Sequence, residues 1–238
     1  MKNKTGKGNK AATAVILIMI TAGLALLLFP AAGNMINRLR SSREIKEYQA
    51  TVAELPDEDA RIWLDKAREY NRNLAKKRIT EFKMDDEDLE IYKGMLNVKG
   101  NGLMAYVEIP EISVSLPIYH GTSEKVLKDA VGHIEWSSLP VGGESSHCTI
   151  SAHRGLPSAK LFTNIDRLGE GDVFYIKVLG ESLEYKVIGV MTVLPEETDA
   201  LEIESGRDLC TLMTCTPYGI NTHRLYVTGE RVPNNTKE

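Results

Sequence analysis

No Cys-x-x-Cys pair and no cysteine–histidine spacing of the kind used by structural zinc sites occurs in the sequence. No tight carboxylate loop resembles a calcium site either, so neither a metal nor another cofactor is expected. The cysteines number only three, Cys148, Cys210 and Cys215. That count is odd, so at least one thiol is free or pairs with another molecule. Positive charge is not in excess, since 29 Lys and Arg stand against 33 Asp and Glu for a formal net charge of −4. This removes the general electrostatic ground for a nucleic-acid partner. Internal repeats are missing, and only one long apolar run occurs. What remains is a 238-residue chain that is 42% hydrophobic, enough for a packed core and too apolar for a disordered protein.

The apolar run extends from Ala11 to Gly33, through AVILIMITAGLALLLFP. It can cross a bilayer, because roughly 20 apolar residues in a helix span the hydrocarbon core. A cleaved signal peptide is the competing reading, supported by Lys2, Lys4, Lys7 and Lys10 ahead of the run and small residues at Pro30–Gly33. The run exceeds the roughly 7 to 15 residues of a signal-peptide core, which favours an anchor that stays. Arg38, Arg40, Arg43 and Lys46 nearly balance the four lysines, so the short basic head is what orients the span with the bulk of the chain outside the cytoplasm. The expected organisation is a basic cytoplasmic tail at 1–10, a single transmembrane anchor at 11–33 touching membrane lipid, a helical extension and linker at 34–100, and a catalytic domain at 101–238.

Between Glu44 and Lys77 apolar residues recur at helical spacing: Ile45, Tyr48, Val52 and Leu55, then Trp63, Ala67, Tyr70 and Leu74. Pro56 divides the two stripes and Asp57 is placed to cap the second. Residues 81–100, with Asp85-Asp86-Glu87-Asp88 followed by Asn97, Gly100, Asn101 and Gly102, read as a linker or solvated surface. Beyond Met104 the pattern changes to β-branched and aromatic runs: 106–109, 114–119, 148–152, 173–179, 183–194, 209–215 and 225–232. Such spacing implies a sheet-rich sandwich or closed barrel. Short helices are expected near 123–130 and 159–168.

Chemistry concentrates at three strand ends. The run Leu209–Cys215 reads as a strand buried on both faces that stops at Thr216-Pro217-Tyr218-Gly219, which leaves Cys215 rigid yet reachable. A hairpin return sets Arg224 at the same edge. The run Cys148–Ala152 ends at His153, and if it lies parallel to the strand of Cys215 both ends face one rim. A thiol is only a few per cent ionised at neutral pH, so a nucleophilic cysteine needs such a base or cation. His153 can take the thiol proton and return one to a leaving amine, and Arg224 can stabilise an oxyanion. Cys148 and Cys210 read as small core residues. Thr214 is a candidate helper at the oxyanion, while His120, His147 and His223 read as packed or surface histidines.

The segment Thr211-Leu212-Met213-Thr214-Cys215 resembles the Thr-Leu-x-Thr-Cys signature of sortases. With SAHRGLPSAKLF, LPIYHGTSEKVL, VGHIEWSSLPVGG and the continuation to Arg231, residues 90–232 are similar to the pilus-assembling class C branch. The resemblance implies an eight-stranded β-barrel, preceded here by the helical extension and one transmembrane helix. It also implies Cys215 as nucleophile, His153 as general acid/base and Arg224 as the transition-state arginine, with His133 a candidate in the substrate groove. The implied reaction cleaves a Leu-Pro-x-Thr-Gly-like sorting signal after threonine through a thioacyl intermediate, then transfers the acyl group to an amine. The implied partners are pilin or surface-protein substrates carrying that signal and an amine from a pilin lysine or a cell-wall precursor. Two features depart from class C. No Asp-Pro-aromatic lid is present in residues 81–92, so the thiol is expected to be open, and no second apolar segment follows the catalytic part. Two other readings therefore stay in view: attachment of surface proteins to the cell wall, and a catalytically silent tethered scaffold.

Overall fold

The computed structural model describes residues 6–76, 84–156 and 158–233. Helix α1 spans Gly6–Glu54 and α2 spans Asp57–Lys76. The expected break at Pro56 therefore holds, with Asp57, Glu58 and Asp59 in the first turn of α2, where carboxylates favour the positive end of the helix dipole. One helix crosses the expected boundary at residue 33. Its first half is the one described helix long and apolar enough to cross a membrane, and side chains such as Leu26 and Leu27 are 76% and 79% exposed. The second half packs on the domain. Tyr48 is the lock, because its buried hydroxyl donates to the Met104 carbonyl and accepts from the Leu179 amide.

Residues 84–100 are not a linker, although Asp85, Asp86 and Glu87 are exposed as expected of a solvated run. They contain helix α3, Asp86–Gly94, whose N-cap Asp85 accepts from the Asp88 amide at 2.7 Å. The acidic run read as solvated surface is the capped, dipole-favoured start of this helix. Its other face carries Leu89, Tyr92 and, past the C-terminus, Leu96 into the core. That stripe is short and sits among charges, which hid it in the sequence.

The remaining strands are β1 Leu103–Ile109, β2 Val114–His120, β3 Val131–His133, β4 Ser146–Ser151, β5 Arg154–Leu156, β6 Ala159–Leu161, β7 Val173–Val178, β8 Glu181–Val193, β9 Asp208–Thr216 and β10 His223–Arg231. A one-turn helix α4, Glu124–Leu127, lies between β2 and β3. Eight strands close into a barrel in the order β1-β2-β3-β4-β9-β10-β8-β7. The pairs β2·β3 and β4·β9 are parallel and the others antiparallel. Closure leaves no open edge, and the fold class is the expected mainly β barrel. Alternation is clean in β7, where Phe174, Ile176 and Val178 point inward. The segment expected as helix at 159–168 is instead β6 followed by a single 3-10 turn at Ile165–Arg167. β5 and β6 form a separate hairpin.

Tyr92 fastens α3 to the barrel. Its hydroxyl accepts from the Gly121 amide at 3.0 Å and lies 3.0 Å from His133 Nδ1. His133 Nε2 faces the Ser138 carbonyl at 2.8 Å and must donate there, so in the neutral ring Nδ1 accepts the tyrosine proton. Burial holds the Tyr92 phenol well above its ordinary range and keeps that proton in place. Tyr92→Phe should cost about 1–3 kcal/mol, because it leaves a buried amide and ring nitrogen unpartnered. Urea unfolding of the variant reads this directly, and an unchanged midpoint would remove Tyr92 from its fastening role.

Candidate active site

Cys215 lies one residue before the end of β9. β10 returns antiparallel with Arg224 as its register partner, because a short turn after Thr216 sends the chain straight back along the same sheet. On the other side β4 runs parallel to β9, with Ser146 opposite Asp208 and Ser151 opposite Met213. The ladder continues one residue past β4, where the Ala152 amide donates to the Met213 carbonyl at 3.2 Å. His153 follows directly, and its carbonyl accepts from the Phe162 amide at 3.2 Å as the chain turns into the β5–β6 hairpin. His153, Cys215 and Arg224 thus lie at or just past the ends of three neighbouring strands on one rim, with paired strands about 4.8 Å apart. All three residues are half-buried, reachable but held.

Backbone and side-chain bonds fix each position. Arg224 Nη1 donates to the Asn221 and His223 carbonyls at 3.3 and 3.1 Å, which holds one end of the guanidinium against the turn. The buried Thr214 hydroxyl donates to the Ala152 carbonyl at 2.7 Å. Thr214 therefore locks the chain entering His153 to β9, and its proton is committed there rather than offered to an oxyanion. His133 has no exposed surface and is enclosed by Tyr92 and Ser138. It faces the core, not a substrate groove, because β3 turns its side chain under α3.

Arg154 was not singled out in the sequence, although it stands next to His153 in the SAHRG motif. It pairs with Asp166 and donates to the Thr216 hydroxyl, and its side chain is only 13% exposed. It clamps β5 to the residue following Cys215. Beside it Gly155 has φ of +73°, and a Cβ there would meet the Tyr218 ring at 2.0 Å. Only glycine lets the β9–β10 turn pack so closely on the hairpin that follows His153.

The other cysteines are register partners across β4 and β9, 2% and 0% exposed. All three thiols are free. Burial, then the neighbouring Cys148, push the Cys210 thiol well above its ordinary value, so it stays protonated and inert. His147 lies inside the wall between the Glu202 carbonyl and the Thr211 hydroxyl, His120 between two carbonyls, and His223 beside Thr222. Side-chain hydrogen bonds involving residues 84–100 include those of Tyr92 to Gly121 and His133, of Asn97 to Gly102, and of His120 to the Met95 carbonyl. Residues 81–83 of the segment where a lid was sought lie outside the described residues.

A closed mixed barrel with a thiol, an imidazole and a guanidinium on one rim is the architecture of a cysteine-dependent acyl-transfer enzyme. The sortase domain family matches residues 107–232. The chain is 43% identical to sortase C1 from Streptococcus agalactiae, with a TM-score of 0.77 over 81% of this chain and 100% of that one. It is 46% identical to sortase C-1 from Actinomyces oris, with a TM-score of 0.68 over 73% and 99%. Sortase C from Clostridium perfringens, solved with the C-terminal cell wall sorting motif, shares 43% identity and a TM-score of 0.70 over 81% and 99%. The chain belongs to the sortase family, and it is a cysteine transpeptidase whose structural neighbours are class C sortases.

Proposed function

We propose that this transpeptidase joins pilin subunits outside the cytoplasm, anchored in the membrane by the first half of α1. Cys215 is its nucleophile, His153 its general acid/base and Arg224 its oxyanion donor. The observation that supports the reading is that the ends of β4, β9 and β10, which carry or adjoin these three residues, meet at one rim. His153 takes the thiol proton as the sulfur attacks the threonine carbonyl of a Leu-Pro-x-Thr-Gly-like signal. Arg224 receives the negative charge developing on that oxygen. The Thr–Gly bond breaks, and His153 returns the proton to the departing glycine amine. A lysine amine of another pilin then attacks the thioester, passes its proton through His153 to the leaving sulfur, and an isopeptide bond remains. Thr214 and Arg154 act on this sequence only by holding the strand ends in place.

The test is incubation with a sorting-signal peptide and a lysine-bearing acceptor peptide, followed by mass spectrometry. A thioacyl adduct on Cys215 and an amide-linked product are expected. An adduct on another residue, or none, would refute the nucleophile. Transfer confined to a cell-wall precursor amine would replace pilin joining with surface-protein attachment.

A further inference from the structure

We infer that the active-site rim faces the bilayer holding α1, with Tyr218 and Ile220 of the β9–β10 turn lying in its headgroup layer. The inference rests on the proposed membrane anchor. If Ala12 opens the span, about 20 residues of helix end it near Ala31, and Gly33 then falls among the headgroups. At that level α1 meets the β5–β6 hairpin. A Cβ on Gly33 would come within 2.8 Å of the Ser158 Cα, and the Lys160 amide donates to Asn34 Oδ1 at 3.2 Å. The hairpin following His153 is therefore seated at the membrane end of the domain.

Two independent rulers agree on the direction. Along α1 the contacts climb from Ser158 at Gly33, through the Asp129 carbonyl at Asn37 and Met104 at Tyr48, to Gly180 near Val52. At 1.5 Å per residue Val52 lies about 28 Å beyond Gly33. Along β9, Asp208 begins in the groove shared with Gly180, Glu181 and Arg231, and Thr216 ends beside Arg154 of the hairpin. Eight steps of strand cover about 26 Å. The barrel thus stands on the membrane with the Cys215 end down and the Asp208 end up.

The downward end carries large apolar side chains that the protein itself does not cover. Tyr218 is 60% exposed and Ile220 is 67% exposed. Leu194, one residue past the register partner of Arg224, is 41% exposed. A tyrosine with an apolar neighbour suits the layer where one end of the ring is dry and the other wet. Exposed Lys160 and Arg38 at the same level can meet lipid phosphates. Of the acids there, Asp166 pairs with Arg154 and Glu197 accepts from the Leu194 amide, while Glu196 is exposed. A substrate therefore reaches Cys215 along the membrane surface.

The experiment uses the full chain in vesicles of phosphatidylcholine and phosphatidylglycerol, with Cys215→Ala so that the buried Cys148 and Cys210 are the only native thiols. Ile220→Cys, Leu24→Cys and Ser205→Cys are each labelled with a polarity-sensitive fluorophore and exposed to a quencher carried on lipid. Ser205 precedes β9 at the far end and Leu24 lies in the span. Quenching at positions 24 and 220 should be several-fold stronger than at 205. Quenching at 24 with none at 220 would overturn the inference while leaving the anchor intact. No quenching at 24 would overturn the anchor and the inference together. A blue-shifted but unquenched label at 220 would also overturn it, showing that protein rather than lipid covers the turn.

Discussion

Cys215→Ala should abolish cleavage and transfer of a sorting-signal peptide, whereas Cys148→Ala and Cys210→Ala should retain turnover and lose only stability. The three thiols differ by position, not by chemistry. Cys215 stands at a strand end, half-buried, with His153 and Arg224 on the flanking chains. The other two lie side by side inside the wall, where burial keeps the Cys210 thiol protonated. Removing the nucleophile of a catalytic set costs on the order of a millionfold, which places the variant below detection. Truncating either buried thiol should cost about 1 kcal/mol through lost packing. Peptide turnover and urea unfolding of the three purified variants separate these outcomes. Measurable turnover by Cys215→Ala would eliminate the proposed chemistry.

Arg224→Lys should be nearly as damaging as Arg224→Ala, at about a hundred- to a thousandfold in acylation rate, or about 2.7–4 kcal/mol. One amino group of Arg224 already holds the Asn221 and His223 carbonyls. The planar fork can keep those bonds and still present fixed N–H groups toward the thioester oxygen. An ammonium is a single point on a flexible stem and cannot hold the turn and the oxyanion in one fixed geometry. If Arg224 supplied positive potential alone, lysine would rescue most of the rate. Acylation rates of both variants, with folding checked by circular dichroism, decide between these roles, and near-full activity in Arg224→Lys would refute oxyanion donation.

The barrel strands were legible because β-branched runs between turn residues leave a period-2 pattern, as in β7. β3, β5 and β6 were missed, being three residues each and too short to show alternation. α3 was read as surface because its acidic first turn dominates the local composition. Its burial depends on Tyr92 finding Gly121 and His133, contacts 29 and 41 residues away. The groove role expected for His133 failed for the same reason.

By itself the sequence determined the apolar span, the helical stripes broken at Pro56, the β-rich second half and the three groups able to move an acyl chain. Each is a local matter of hydropathy, period or functional-group chemistry. Only the tertiary structure decided that β4 and β9 run parallel, so that the chain leading to His153 and the strand of Cys215 end on one rim. The same holds for Arg154 clamping the rim, and for Thr214 spending its hydroxyl on a carbonyl. These depend on pairings between chain segments about 60 residues apart. Strand partners and register are set by which faces the whole barrel can bury at once, a condition that no local stretch contains.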